Sequence, residues 1–173
     1  SGFGTLAVSG SSGALRGSGS VLAPVSNVSG TVAPGNSIGT LTVASYTQGV
    51  AGLLDVEVTS GASDVLAVTG NAQIAGTVRF LQFGAAPAAG QTSTFLTTGG
   101  TLSGRFSAVQ DLLPGALFPV LAYGSNSVSL TIANFCSFAS GPVETQVCAT
   151  LDSNTVQSDP DMASALSGLQ GLD

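Results

Sequence analysis

Between Thr5 and Ile132 the chain is a succession of short runs in which apolar and polar residues alternate, each broken by Gly, Asn, Asp or Ser. Such alternation marks a half-buried strand, because successive side chains leave a strand on opposite faces. Thr40-Leu41-Thr42-Val43 is one such run, and Leu54-Asp55-Val56-Glu57-Val58 is a sharper one that sends both carboxylates to a solvated outward face. Val65-Leu66-Ala67-Val68 and Thr77-Val78-Arg79-Phe80 follow, and Ser127-Val128-Ser129-Leu130-Thr131-Ile132 is the most regular of all. Turn signals lie between them at Pro34-Gly35-Asn36, Thr69-Gly70-Asn71 and Gly124-Ser125-Asn126. The centres of the four runs from Leu41 to Phe80 are ~11–14 residues apart, and no helical period intervenes. A βαβ fold is excluded.

Two architectures use this pattern: a β-sandwich, and a β-helix solenoid whose rungs stack on one another. Two runs per rung predict weak repetition at ~20–25 residues, small residues at the corners and apolar residues stacked inward. The inward set expected from the alternation is Leu41, Val43, Val56, Val58, Val78 and Phe80. Leu121-Ala122-Tyr123, a four-residue turn and the run through Val128, Leu130 and Ile132 read as a β-hairpin that caps an open solenoid end. After Ile132 the character changes. Val143, Val147 and Leu151 fall at helical spacing behind Pro142, and Asp159-Pro160 suits the start of a second short helix. Residues 1–133 are therefore expected to form the stem and its cap, and residues 134–173 a helical junction.

Composition sharpens the choice. The chain has 24 Gly, 24 Ser and 17 Thr among 173 residues, and only 7% charged residues. An average soluble domain carries ~25% charge. Tight corners and continuous inner faces account for the glycine load and the scarcity of charge, which favours the solenoid. Three Arg, no Lys and nine acidic residues leave a net charge of −6. Nucleic-acid binding is excluded, because it needs a basic surface. The chain also lacks His, the usual acid–base group near neutral pH. Cys136 and Cys148 match no zinc pattern, and in a lysine-free, Ser/Thr-rich chain they point to a disulfide in an oxidising compartment; two separate buried thiols are the alternative. Ser1 to Leu6 has no basic stretch followed by an apolar one, so a mature chain or a fragment is expected.

The segment Gly30-Thr31-Val32-Ala33-Pro34-Gly35-Asn36-Ser37-Ile38-Gly39-Thr40-Leu41-Thr42-Val43 resembles the APGNSIGTLTV signature of bacterial autotransporter passenger domains. Gly13 to Gly19 is similar to the upstream L-x-G-x-G turn, Tyr46-Thr47-Gln48 to the Y-x-Q that follows, and Ser63 to Gly70 to the sD-x-L-x-V-x-G segment. Gly104-Arg105-Phe106 resembles the later G-x-F, and Thr145 to Asp152 the helix that precedes the outer-membrane barrel. The resemblance spans nearly the whole chain. It implies a right-handed parallel β-helix stem exported to the bacterial surface, whose last rungs and cap act as an autochaperone. It implies as partners the family's own C-terminal outer-membrane β-barrel, which this sequence does not contain, and upstream passenger rungs. Host or sister-cell surface molecules are the partners if the flank serves as an adhesin. No cofactor is expected, and no cleavage site is carried over, because the paired Asn of some members is missing from the junction.

The candidate chemistry is thin. Gly35-Asn36-Ser37-Ile38-Gly39 has the letters of a nucleophile elbow, but a strand-like run follows it and no His exists. Asp55 and Glu57 have the spacing of a two-carboxylate hydrolase, which would require one of them to be desolvated. Asp64 reads as a turn acceptor for backbone N–H groups rather than a calcium ligand. Arg16, Arg79 and Arg105 read as separate surface residues. A non-enzymatic protein is expected.

Overall fold

The computed structural model of the chain describes residues 4–138, and these are all-β, with parallel strands dominating two sheets. The first strands are β1 (Leu6–Val8), β2 (Ala14–Gly17), β3 (Gly19–Asn27), β4 (Thr31–Pro34) and β5 (Thr40–Gln48). Next come β6 (Leu53–Thr59), β7 (Ala62–Ser63), β8 (Val65–Val68), β9 (Ala72–Ile74) and β10 (Thr77–Gln82). The last are β11 (Thr92–Thr98), β12 (Leu102–Gly104), β13 (Ala108–Leu112), β14 (Phe118–Tyr123) and β15 (Ser127–Ala133). A 3₁₀ turn, Phe135–Phe138, follows.

The first sheet runs β1-β3-β5-β8-β11-β15-β14, and the second runs β13-β10-β6-β4-β2. From β1 to β6 the chain crosses from one sheet to the other at every step. A parallel pair needs a long crossover, usually a helix; here the crossover is a strand of the opposite sheet. The alternating pattern therefore continues without a helical period.

Register places like on like. Leu41 pairs with Leu66 and Leu66 with Leu96 in the first sheet, while Val32, Leu54 and Val78 succeed one another in the second. Leu41, Val43, Val56, Val58, Val78, Phe80, Val128, Leu130 and Ile132 are all buried, and each belongs to a single apolar cluster fed by both sheets. The repeat is irregular: Ala14 pairs with Thr31, whereas Val78 pairs with Val109. Corners stack too. Gly76 sits at φ +64°, and a Cβ there would come within 2.5 Å of the carbonyls of Gly49 and Gly52, so a larger residue would force the neighbouring corner apart.

One end of the first sheet changes direction. β15 pairs antiparallel with both β11 and β14, and Tyr123 opposite Val128 forms the hairpin read from the sequence. The β11–β15 ladder is bulged between Thr94 and Leu96. The extra residue is Phe95, and Phe95 and Leu96 are consecutive buried side chains. A bulge breaks strict alternation in this way. Phe95 meets Phe80 of the second sheet edge-to-face at 5.2 Å and lies 6.2 Å from Phe106.

A buried polar seam crosses the layers near one edge. Asn27, Tyr46 and Gln48 are at most 2% exposed. The Tyr46 hydroxyl donates to Gln48 Oε1 at 2.6 Å, and Asn27 Nδ2 donates to the carbonyl of Leu53 at 3.0 Å. Gln48 Nε2 lies within 3.0 Å of the carbonyls of Gly52, Ala75 and Thr77. The seam thus links backbone from three successive passes of the chain. Cys136 lies half-buried in the 3₁₀ turn; Cys148 and the two helices expected in residues 134–173 lie outside the described residues.

Replacing Phe95 by Ala should cost about 3–5 kcal/mol, as for other large core truncations, while the same change at exposed Phe83 should cost under about 1 kcal/mol. Urea unfolding followed by far-UV circular dichroism measures both.

Candidate functional site

The polar centre of the described residues is a cavity of about 240 Å³ on the outer side of the second sheet. Its lining includes Arg16 from β2, Pro34 and Gly35 at the end of β4, Asp55 and Glu57 from β6, and Asp64 between β7 and β8. Alternation places Asp55 and Glu57 here: Leu54, Val56 and Val58 take the inner face, so the intervening residues must face outward.

The carboxylates differ in what holds them. Asp55 is 6% exposed, and Arg79 grips it with two parallel hydrogen bonds of 2.8 Å, from Nε to Oδ1 and from a terminal amino group to Oδ2. The two residues are direct neighbours in the β6–β10 register. That hydrogen bonding pushes the Arg79 guanidinium further up from its ordinary value. Two sequence-based readings are corrected here. Asp55 is not on a solvated face, and Arg79 is not an isolated surface residue, because parallel stacking delivers an arginine from the next layer onto the carboxylate. Glu57 is half-buried; its Oε2 is sealed from solvent and has no hydrogen-bond partner.

Asp64 is a backbone acceptor, as expected, but its partners are remote. Oδ1 accepts from the Gly39 N–H and Oδ2 from the Glu57 N–H, each at 2.9 Å. One carboxyl group thereby ties the turn before β5 to strand β6. Burial raises its pKa to about 6; the two backbone N–H groups oppose the rise and the Glu57 charge adds to it. The same turn explains Gly35, which sits at φ +85°, where a Cβ would strike the Ser37 carbonyl and lie 2.5 Å from Asp64 Oδ1. Gly35-Asn36-Ser37-Ile38-Gly39 is thus a turn between β4 and β5, with strands on both sides and no helix for a nucleophile elbow.

Arg105 lies apart from this cavity, with its guanidinium 4.4 Å from the centre of the Tyr123 ring. The Tyr123 hydroxyl accepts from the Phe106 N–H at 3.3 Å, and burial raises its pKa. This bracket between the 104–106 turn and the hairpin was not legible in the sequence, because nothing in the pattern of either segment marks the other as its neighbour. The Asn27–Tyr46–Gln48 seam was equally missed; its one signal is a polar residue at strand positions where alternation calls for an apolar one. Among the described residues, no three His, Cys, Asp or Glu groups converge in a way that could hold a metal ion.

No family model matches the chain, and no curated protein matches it. The geometry itself fastens strands to turns: Asp55 is committed to Arg79, and both oxygens of Asp64 are committed to backbone N–H groups.

Arg79→Ala should cost about 2–3 kcal/mol, since it leaves Asp55 buried without a counter-charge. Asp55→Ala should cost less, because the Arg79 side chain still reaches water. The double variant should be more stable than the two losses added together, with a coupling of about 1–2 kcal/mol in a urea-denaturation cycle.

Proposed function

We propose that this chain is the stem of an autotransporter passenger: a right-handed parallel β-helix whose C-terminal hairpin caps the solenoid and nucleates its folding. The observation that carries the reading is the pair of parallel ladders visited in alternation and ended on one side by the antiparallel β15–β14 hairpin. In such a coil each rung cannot bury its inner face alone, so stability accrues from neighbour on neighbour. An end closed by its own hairpin offers incoming chain a finished template. The autotransporter-like segments support the reading by their places in the fold: the PGNSIG turn is the one that Asp64 fastens, and Tyr46 and Gln48 lie in the buried seam.

The physical work of the module is structural. Export across an outer membrane has no nucleotide fuel on the far side, and folding from a capped end supplies a directional bias. The exposed flank of β1 and β2 is where upstream rungs would continue the two sheets, and a barrel partner would follow the 134–173 junction. The commitments of Asp55 and Asp64 favour a non-enzymatic role over a two-carboxylate hydrolase. A cell-surface location follows from the same reading.

Leu130 is fully buried in β15, and Leu6 is 40% exposed in β1. Leu130→Asp puts an unpaired charge in the cap and should cost several kcal/mol, whereas Leu6→Asp should cost under about 1 kcal/mol. With the chain joined to an autotransporter barrel, Leu130→Asp should abolish protease-resistant protein at the cell surface and Leu6→Asp should leave it near the parent level. Equal loss from both, or a neutral Leu130→Asp, would refute the nucleating cap.

A further inference from the structure

The sharpest anomaly on the outer side of the second sheet is a pair of carboxyl groups facing one cavity. Asp64 is 1% exposed and holds two backbone N–H groups from different segments. Glu57, whose own N–H is one of them, keeps a sealed carboxylate oxygen with no donor. A buried acceptor without a donor is costly, and so are two like charges in one enclosed space. A single proton would relieve both costs at once.

We propose that Asp64 and Glu57 form a proton-operated latch that fastens the 35–39 turn to β6. In the closed state the pair shares one proton taken from solvent: it bonds to the Asp64 carboxyl and is donated to the orphaned Glu57 oxygen, while the Gly39 and Glu57 N–H bonds are kept. In the open state both groups are ionised, the donor is gone, and repulsion works against the turn. The other charged groups facing the cavity do not supply the missing donor. Arg16 on β2 is exposed and makes no hydrogen bond or ion pair with either carboxyl, and Asp55 on β6 is neutralised by Arg79 from β10. The turn packs closely over the carboxyl: a Cβ at Gly35 would lie 2.5 Å from Asp64 Oδ1, and the Gly39 N–H reaches the same oxygen at 2.9 Å. This latch is independent of the autotransporter reading.

The sign follows from the direction of the shift. Asp64 holds its proton more tightly in the folded chain, at about 6 against an ordinary 3.8, so its contribution is full below about pH 4 and is lost as pH rises through 6. The chain contains no His, so no ordinary side chain titrates between pH 5 and 7 to mask this.

The test is urea unfolding of the 173-residue chain from pH 5 to pH 7.5. The folding equilibrium constant should fall about tenfold across that range. Glu57→Gln should shrink the fall, and Asp64→Asn should abolish it at a lower overall stability. If Asp64→Asn does not fold, carboxyl-carbon NMR of the parent chain reads the same quantity: Asp64 should titrate near pH 6. A pH-independent parent, a fall undiminished in Asp64→Asn or in Glu57→Gln, or an Asp64 midpoint below about 4.5 would each overturn the latch.

Discussion

Everything in this molecule depends on parallel, in-register stacking of one strand on the equivalent strand of the preceding pass. Hydrogen bonds of the ladder fix the vertical alignment, and alignment turns single apolar residues into columns such as Leu41, Leu66 and Leu96. A column is buried only when its neighbours are present, so burial of each side chain, roughly 1.5–3 kcal/mol for Leu or Val, is a property of the stack rather than of the strand. Short strands of three or four residues, such as β1 and β4, gain stability in this way that they could not have alone.

The same alignment governs the polar residues. Arg79 lies opposite Asp55 because β10 follows β6 in the second sheet, and the pair gains two short charge-assisted bonds at a face where one carboxylate alone would be costly. Asn27 and Gln48 occupy buried positions only because backbone carbonyls of adjacent passes converge on them. A slip of one residue would turn both sets over to the opposite face, so these polar groups hold the register that the apolar columns alone specify less strictly.

The ends of such a stack are its liability, since edge strands present unpaired backbone groups. In the first sheet β15 reverses direction and lies against β11, and the bulge at Phe95 that accompanies this reversal drives an aromatic ring into the core between the sheets. In the second sheet β13 is an exposed edge strand, and it carries Asp111. A charge on such an edge disfavours addition of another strand.

Much of this was legible in the chain itself. Alternation determined that Leu54, Val56 and Val58 share a face opposite Asp55 and Glu57, and it marked the 121–132 hairpin, because side-chain direction in a strand is a local property with a period of two. Glycine and turn residues placed the breaks. What alternation does not carry is the identity of the neighbour one pass away, since the offset between stacked residues varies from Ala14–Thr31 to Val78–Val109. The Asp55–Arg79 grip, the reach of Asp64 to Gly39, the inward turn of Phe95 and the Arg105–Tyr123 bracket were therefore decided only in three dimensions. The sequence by itself determined which way each strand residue faces; only the stacking decided what it meets there, because facing is set by the residue's own backbone and meeting is set by another segment's register.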